Sequence, residues 1–452
     1  MELASRFNGE IINGDAMQMY DGLPIITNKI TLEEQNSIPH HLLGFVALDE
    51  EPWRVGLFQK RASQIIREIR SRGRLPILVG GTHYYTQSLL IQDSLVAKPA
   101  IEEEQESVEL SNQEISKKFP ILDGPTETMI ERLKEVDPVM ADRWHPNDRR
   151  KIRRSLEIFL RTGKRASDVY MEQRLRKDSP KGPGNSPEGY EITDPAAEKI
   201  SPLIFWVHSE AETLKVRLDA RVDKMMEAGL LAEVKSMDSF LRHHTKLGKA
   251  VDSTRGIWIS IGWKEFEQYL STLRADTESQ EKLDQLLALS IEQTKTATRQ
   301  YAKRQTRWIR LKLIPALSNQ NLLDKLYVLD GTHLERWSED VSDPAIDVTT
   351  NFLAGNKLRA PGSLCGVANV LLTPERSFDY ADRRDLWVRH ECEICQTVCT
   401  TEELWQRHLR GRPHRRRVKQ RKNAVIGGYS TTDNDNAPSP EEAPGLQFSP
   451  TL

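Results

Sequence analysis

Residues 10–15 read EIINGD and residues 75–82 read LPILVGGT, and these two stretches decide the fold. In each, a short apolar run ends directly in a small or acidic residue, which is the pattern of a buried strand followed by a turn. Two further runs of this kind are Leu203–Val207 (LIFWV) and Leu326–Leu329 (LYVL). Amphipathic helical patterns separate the runs, among them Trp53–Ser71 and Ala211–Phe240. Strands that alternate with helices predict an α/β fold with a parallel sheet, in which ligands bind beyond the carboxyl ends of the strands.

The composition excludes several classes of protein. The chain has 452 residues, with 64 Lys+Arg and 66 Asp+Glu, so its net charge is only −2. It contains no run of about 18 apolar residues, so we expect no membrane-spanning helix and no membrane partner. Four cysteines exclude a disulfide scaffold, and the first residues lack the apolar segment of a signal peptide. The expected compartment is the cytoplasm, with the nucleus and mitochondria as alternatives.

Positive charge is concentrated in three segments. The net charge is +8 over residues 143–177, +7 over 295–312 and +9 over 407–422, and the rest of the chain is acidic. Such segregation favours a polyanionic partner that meets selected surfaces. The alternative is that these segments are only solvated helix faces.

The pattern along the chain predicts five regions. Residues 95–177 are helical throughout and too long for a crossover, so we interpret 95–199 as a helical insertion with a Pro/Gly-rich return loop. The α/β core then comprises residues 1–94 and 200–335. We predict a linker over 336–384, a small basic module over 385–422 and a disordered tail over 423–452.

The basic module has the ligand spacing of a C2H2 zinc finger. Cys392 and Cys395 are two residues apart, and His408 and His414 follow at the required distance. Two thiolates and two imidazoles complete a closed tetrahedral Zn²⁺ site, whereas four residues in this register seldom occur by chance. Leu404 is predicted to form the apolar core of the finger. A lone finger with a basic extension favours binding to an RNA backbone.

Six blocks in a fixed order resemble one family. They are GDAMQMYDGLPIITNK (14–29), PILVGGTHYYTQSLL (76–90), HPNDRRKIRRSLEIFLRTGK (145–164), RLDARVDKMMEAGLLAEV (217–234), RGIWISIGWKEF (255–266) and TRQYAKRQTRWIR (298–310). Together with the finger they closely resemble the eukaryotic tRNA dimethylallyltransferases. The resemblance implies a P-loop-NTPase-like parallel sheet and transfer of a dimethylallyl group from dimethylallyl diphosphate to N6 of the adenosine beside the anticodon. It also implies the tRNA anticodon stem-loop as partner, Mg²⁺ with the diphosphate, and a monomer.

The resemblance assigns roles to individual residues. Asp15 matches the general base, although many strand-end Asp residues only cap a turn. Arg221 matches a contact to the diphosphate and Arg217 lies one turn earlier, but either is also a candidate for an ion pair with a neighbouring acidic residue. The residues expected to contact tRNA, by match or by their place in a basic stripe, are Gln18, Thr82, Arg149, Arg150, Arg153, Arg154, Gln173, Arg299 and Arg304.

The match has three departures. No Gly-x4-Gly-Lys-Ser/Thr phosphate loop precedes Asp15, so the first strand and the diphosphate cradle are absent from the pattern. Ala16 and Ile259 stand where the family usually has Ser and Gln. We therefore expect little or no transfer by the chain as written, with a truncated reading frame of an active enzyme as the explanation.

Two alternatives remain at this point. The first is a non-catalytic protein that binds tRNA or duplex RNA through the insertion and the finger. The second is a phosphotransferase of the P-loop kinase type, which requires a phosphate loop and leaves the three basic segments unexplained.

Overall fold

The structure is a computed structural model that describes residues 1–91, 115, 117–178, 201–249, 251–276, 278–374 and 387–427, without the side chains of 173–178 and 422–427. The predicted return loop and most of the predicted tail lie outside the described residues. No helix in the described part is long and apolar enough to cross a membrane.

The described elements alternate as the sequence predicts. The strands are β1 (Gly9–Asn13), β2 (His40–His41), β3 (Leu75–Val79), β4 (Ile204–His208), β5 (Leu326–Asp330), β6 (Trp387–Cys392) and β7 (Thr397–Thr401). The helices are α1 (Glu2–Arg6), α2 (Val55–Ser71), α3 (His83–Leu90), α4 (Thr126–Val136), α5 (Pro138–Arg143), α6 (Arg149–Thr162), α7 (Ala166–Asp178), α8 (Ala211–Glu227), α9 (Leu230–Lys246), α10 (Glu267–Ala275), α11 (Gln280–Trp308), α12 (Ile314–Asn319), α13 (Asp343–Leu353), α14 (Ala368–Leu372), α15 (Glu402–Arg410) and α16 (Arg412–Gly427).

Two parallel sheets form the α/β core. One sheet has the order β2-β1-β3 and the other pairs β4 with β5, so the predicted α/β class with parallel strands is confirmed. β1 is buried along its whole length, which explains its apolar sequence. In the described residues β3 pairs only with β1 and β4 only with β5, and Val79 and Val207 are about half exposed at 53% and 52%.

The chain divides into two compact units. Residues 1–115 and 169–382 form the first unit, which holds both parallel sheets, and residues 116–168 and 383–452 form the second. In the second unit α4 and α6 pack around Met129, Leu133, Ile152 and Leu156, all fully buried. The finger therefore belongs to the same unit as part of the insertion, which the sequence did not predict.

Two expectations about helices are wrong. The predicted linker contains α13 and α14, because apolar residues such as Ala345 and Ala368 are buried against the β5 side chains. The single helix expected over Ala211–Phe240 is interrupted at Gly229, whose φ of +106° is a conformation that favours glycine.

A buried carboxylate in β1 organises one end of the first sheet. Glu10 is 2% exposed and accepts hydrogen bonds from Arg72 at 2.8 Å, Arg74 at 3.2 Å and His41 Nε2 at 2.6 Å. Burial alone would raise the pKa of Glu10, but hydrogen bonds from Arg72 and His41 and their charges lower it to about 2. β1, β2 and the turn after α2 are thereby joined by one ionised group.

We expect this network to make the stability of the folded protein depend on pH in the acidic range. The pKa of Glu10 is about 2 in the folded protein against an ordinary 4.5, so its contribution is complete above about pH 4.5 and is lost as the pH falls towards 2. The difference corresponds to about 3 kcal/mol. Urea unfolding of Glu10→Gln near pH 6 and near pH 3 should show a loss of stability at the higher pH and a weaker pH dependence. The exposed Glu68→Gln variant is the control, and equal pH dependence in all three proteins would contradict the prediction.

Candidate active site and zinc centre

Asp15 lies in a turn that directly follows β1. The side chain of Asn13 fixes this turn, because its Oδ1 accepts from the Asp15 N–H at 3.0 Å and its Nδ2 donates to the Asp15 carbonyl at 3.0 Å and the Leu42 carbonyl at 2.8 Å. The Asp15 carboxylate itself accepts from the Met17 N–H at 2.9 Å. Sequence reasoning missed Asn13; the only signal was a buried polar residue at the end of an apolar strand.

The surroundings of Asp15 suit a proton acceptor. Burial raises the pKa of the Asp15 carboxyl above its usual value, against the lowering effect of the backbone N–H groups of Met17 and Gln18 and of the Arg221 charge. Burial lowers the pKa of Arg221, and the charge of Asp15 opposes that change. The charges of the predicted base, which is half-buried, and of the predicted diphosphate arginine, which is exposed, therefore interact. α8 carries Arg221 some two hundred residues further along the chain.

The Gly80-Gly81-Thr82 turn completes this edge of the sheet. A Cβ on Gly80 would lie 2.2 Å from the Gly14 carbonyl carbon, and one on Gly81 would lie 2.6 Å from Gln305 Nε2. Gln305 donates to the Gly81 carbonyl at 3.0 Å, and Thr82 Oγ1 accepts from the Ala16 N–H at 3.0 Å. The paired glycines therefore give room to the turn after β1 and to a side chain of α11.

Aromatic side chains surround the same edge. Tyr85 is buried and stacks on Phe58 with ring centroids 4.0 Å apart, so it belongs to the core. Tyr84 is 60% exposed and meets Trp308 edge to face at 5.6 Å. Trp308 also stacks on His83 at 4.8 Å. Of Tyr84, Tyr85 and Trp308, Tyr84 has the most exposed ring and is the best placed to stack on a base.

An apolar cavity of about 120 Å³ lies immediately beyond the Asp15 turn. The side chains and backbone around it are Ala16, Met17, Met19, Tyr20, Val46, Pro52, Trp53, Tyr85 and Gly256. A cavity of about 150 Å³ in another protein holds benzene, so this space is suited to a hydrocarbon group of about five carbons.

Arg217 is used differently from Arg221. Its guanidinium donates to the carbonyls of Gly331 at 2.6 Å and Thr332 at 2.5 Å, where it holds the turn after β5. The structure thus brings Arg221 but not Arg217 to Asp15, and a diphosphate contact for Arg217 stays a prediction.

The basic stripe of α11 is partly neutralised. Arg299 donates to Asp219 at 2.5 Å, and Lys295 pairs with Asp223 at 2.7 Å, so these two charges are satisfied by α8. Arg304 is exposed, as are Lys303 and Arg307. The exposed part of the basic stripe therefore begins at Lys303, on the C-terminal side of the residues that form ion pairs.

The arginines of α6 form two rows with different environments. Arg149 donates to the Gly124 carbonyl at 2.6 Å, and Arg153 donates to the Leu122 carbonyl at 3.2 Å, so this row holds a turn of the insertion. Arg150 is exposed, and Arg154 is 47% exposed while bonded to the buried Glu157 at 3.2 Å. Only the second row presents charge to solvent.

Two further residues were predicted to contact tRNA, and one departure from the family pattern remains to be placed. Gln18 Nε2 donates to the Asn28 carbonyl at 3.1 Å in the loop that follows Asp15. Gln173 lies in α7, but its side chain lies outside the described residues. Ile259 is 42% exposed in a 3-10 turn, and nothing in the structure explains why it replaces Gln.

The finger has the geometry of a zinc site. The ligand atoms of Cys392, Cys395, His408 and His414 all lie within 4.8 Å of one another. His414 Nδ1 is 3.6 Å from the Cys392 sulfur, 3.4 Å from the Cys395 sulfur and 3.1 Å from His408 Nε2. These separations match the edges of a tetrahedron with Zn–S and Zn–N bonds of about 2.3 and 2.0 Å, so the donor set fits Zn²⁺.

The interior of the finger differs from the prediction. Leu404 is 42% exposed, whereas Cys399 is 6% exposed within β7 and lies in the small core. Trp405 stacks between His390 at 5.0 Å and His408 at 5.7 Å. This core is too small to fold the finger without its metal.

The fold and the two sites define a class of protein: an α/β enzyme with an aspartate at the carboxyl end of a parallel strand that interacts with a helix arginine, joined to a C2H2 zinc finger. A family model described as IPP transferase matches residues 18–312, and one described as a zinc finger of C2H2 type matches residues 390–414. The chain belongs to the IPP transferase family.

Named relatives cover nearly all of the chain. The tRNA dimethylallyltransferase of Schizosaccharomyces pombe is 36% identical over 93% of this chain and 92% of its own length. That of Mus musculus is 31% identical over 98% of this chain and 88% of its own length. A crystal structure of a eukaryotic dimethylallyltransferase acting on tRNA covers 94% of both chains with a TM-score of 0.70 and 30% identity.

Proposed function

We propose that this enzyme transfers a dimethylallyl group from dimethylallyl diphosphate to N6 of the adenosine 3′ to the anticodon in tRNA. The electrostatic interaction between Asp15, at the carboxyl end of β1, and Arg221 on α8 carries the proposal. Prenylation of tRNA agrees with the family and with the relatives named above.

The pair supplies the two functions that the reaction needs. As the adenine N6 forms a bond to C1 of the dimethylallyl group, the C1–O bond breaks and the electron pair leaves with the diphosphate. The amine then carries an excess proton, which the Asp15 carboxylate accepts. Positive charge on Arg221 stabilises the leaving diphosphate.

We propose that Mg²⁺ binds together with the diphosphate. Within the described residues, the only group of three or more His, Cys, Asp or Glu that is placed to hold a metal is in the finger. Magnesium usually binds through substrate phosphates with one or two protein ligands, so a protein cage is not required. The ion would neutralise charge on the diphosphate oxygens.

The exposed basic rows are the surfaces we propose for tRNA. They comprise Arg150 and Arg154 on α6, Arg304 with its neighbours on α11, and the arginines of α16. Gln18 and Thr82 lie beside Asp15 and are proposed to contact the target nucleoside. We also propose that the protein is a monomer, which light scattering on the purified protein measures.

The assay for the function is transfer of labelled dimethylallyl from its diphosphate to tRNA by the 452-residue chain. Turnover supports the proposal and contradicts our expectation that the chain as written transfers little. Because little transfer is expected of the chain as written, the non-catalytic alternative is supported only if a chain with a phosphate loop added before β1 also binds tRNA without any turnover.

The cavity beyond Asp15 yields a prediction about the donor. Ala16→Leu adds three carbons to the cavity wall, so the five-carbon group no longer fits, and kcat/KM for dimethylallyl diphosphate should fall by about 10- to 200-fold. Affinity for tRNA should not change. Ala16→Ser is the matched control, because it adds one hydroxyl at the same position and should change kcat/KM by less than about threefold. Equal rates for both variants would show that the cavity does not receive the group.

A further inference from the structure

A stack of alternating cations and indole rings joins the helical insertion to the finger. Arg143 is the last residue of α5, and its guanidinium carbon lies 4.5 Å from the ring centroid of Trp144 and 4.3 Å from that of Trp387. Lys151 Nζ lies 5.1 Å from the Trp144 ring. Trp387 is the first residue of β6, so the stack connects a helix of the insertion with the first strand of the finger.

The stack is fixed at both ends. Trp144 Nε1 donates to Ser155 Oγ on α6 at 2.9 Å, which orients the ring on the insertion side. Trp387 pairs with Thr401 across the β6–β7 ladder, which holds its backbone in the sheet of the finger. A guanidinium between two indoles has favourable interactions with both π faces, whereas loss of either ring leaves half of the contact.

Two basic surfaces lie on the parts of the chain that this junction connects. The exposed row Arg150 and Arg154 lies on α6, next to Lys151, and the basic helix α16 follows the zinc ligand His414. Both belong to the same compact unit. If a fixed junction holds two phosphate-binding surfaces, engagement of one raises the effective concentration of the other at the same RNA.

We propose that Arg143 is a positioning residue that couples the zinc finger to the insertion, so that both bind one tRNA as a single surface. The proposal rests on tRNA as the substrate. It requires neither contact of Arg143 with RNA nor any effect on the chemical step.

The test compares tRNA affinity of full-length variants by fluorescence anisotropy. Arg143→Ala should raise Kd by about tenfold through loss of avidity. Arg132→Ala is the matched control: it removes the same charge from α4, where Arg132 pairs with the neighbouring Glu135, and should change Kd by less than about twofold. Trp387→Ala should reproduce the effect of Arg143→Ala from the finger side. Zinc content should stay at one equivalent in every variant.

A double-mutant cycle separates coupling from a merely structural effect. In the background of Cys392→Ser, which removes a zinc ligand and unfolds the finger, Arg143→Ala should have no further effect on Kd. Hydrogen exchange of the β6 amides should accelerate in Arg143→Ala without RNA, so the coupling is measured even if tRNA binding fails. The proposal would be overturned if Arg143→Ala raised Kd for tRNA equally with and without a folded finger. Unchanged hydrogen exchange of the β6 amides would also overturn it, as would equal behaviour of Arg143→Ala and Arg132→Ala.

Discussion

Asp15→Asn should reduce prenyl transfer by about 10²- to 10⁴-fold, because it removes the carboxylate that we propose to accept the N6 proton. The amide keeps the size of the side chain and can still accept from the Met17 N–H, so the turn and the affinity for tRNA should be preserved. Single-turnover rates with labelled dimethylallyl diphosphate measure the effect.

The pH dependence gives the same prediction a second test. Burial raises the pKa of Asp15, and a general base must be unprotonated, so the rate should fall as the pH decreases through that raised pKa and reach a plateau above it. The variant should lose this dependence. Asp21→Asn, an exposed change in the same loop, is the control and should keep both the rate and its pH profile. A normal profile in Asp15→Asn would exclude Asp15 as the base.

Cys392→Ser should reduce bound zinc from one equivalent to none and unfold the finger. The site needs all four ligands, and the finger has little apolar core beyond Cys399, so metal binding supplies its folding free energy. Elemental analysis of protein purified without chelator measures the metal, and affinity for tRNA should fall by about tenfold as the basic helix loses its support.

The other cysteine of the finger provides the control for the zinc prediction. Cys399 is buried in β7 and lies outside the ligand cluster, so Cys399→Ala should keep its zinc. Because the α/β core belongs to the other compact unit, its unfolding should be unchanged in both variants. Zinc retained in Cys392→Ser would contradict the ligand assignment.

A feature was predicted correctly from the sequence where the residues that determine it lie close together in the chain. Four strands, the position of Asp15 after β1 and the four ligands of the finger were predicted because each depends on neighbours a few residues apart. The linker was mispredicted because α13 and α14 are held by tertiary burial against β5, and burial of that kind leaves a weak periodic pattern.

The sequence by itself determined the α/β class, the zinc site, the family and the identity of the proposed base. Only the tertiary structure decided which arginines are available. Arg149 and Arg153 hold backbone carbonyls, Arg299 pairs with Asp219, and of the two α8 arginines Arg221 interacts electrostatically with Asp15 while Arg217 holds backbone carbonyls. A row of arginines on a helix specifies charge, but the partner of each guanidinium is a carbonyl or carboxylate brought from elsewhere in the chain. The fold selects that partner through contacts between residues that lie 25 to 114 positions apart in the chain. These contacts separate the arginines that stabilise the protein from those that remain for RNA.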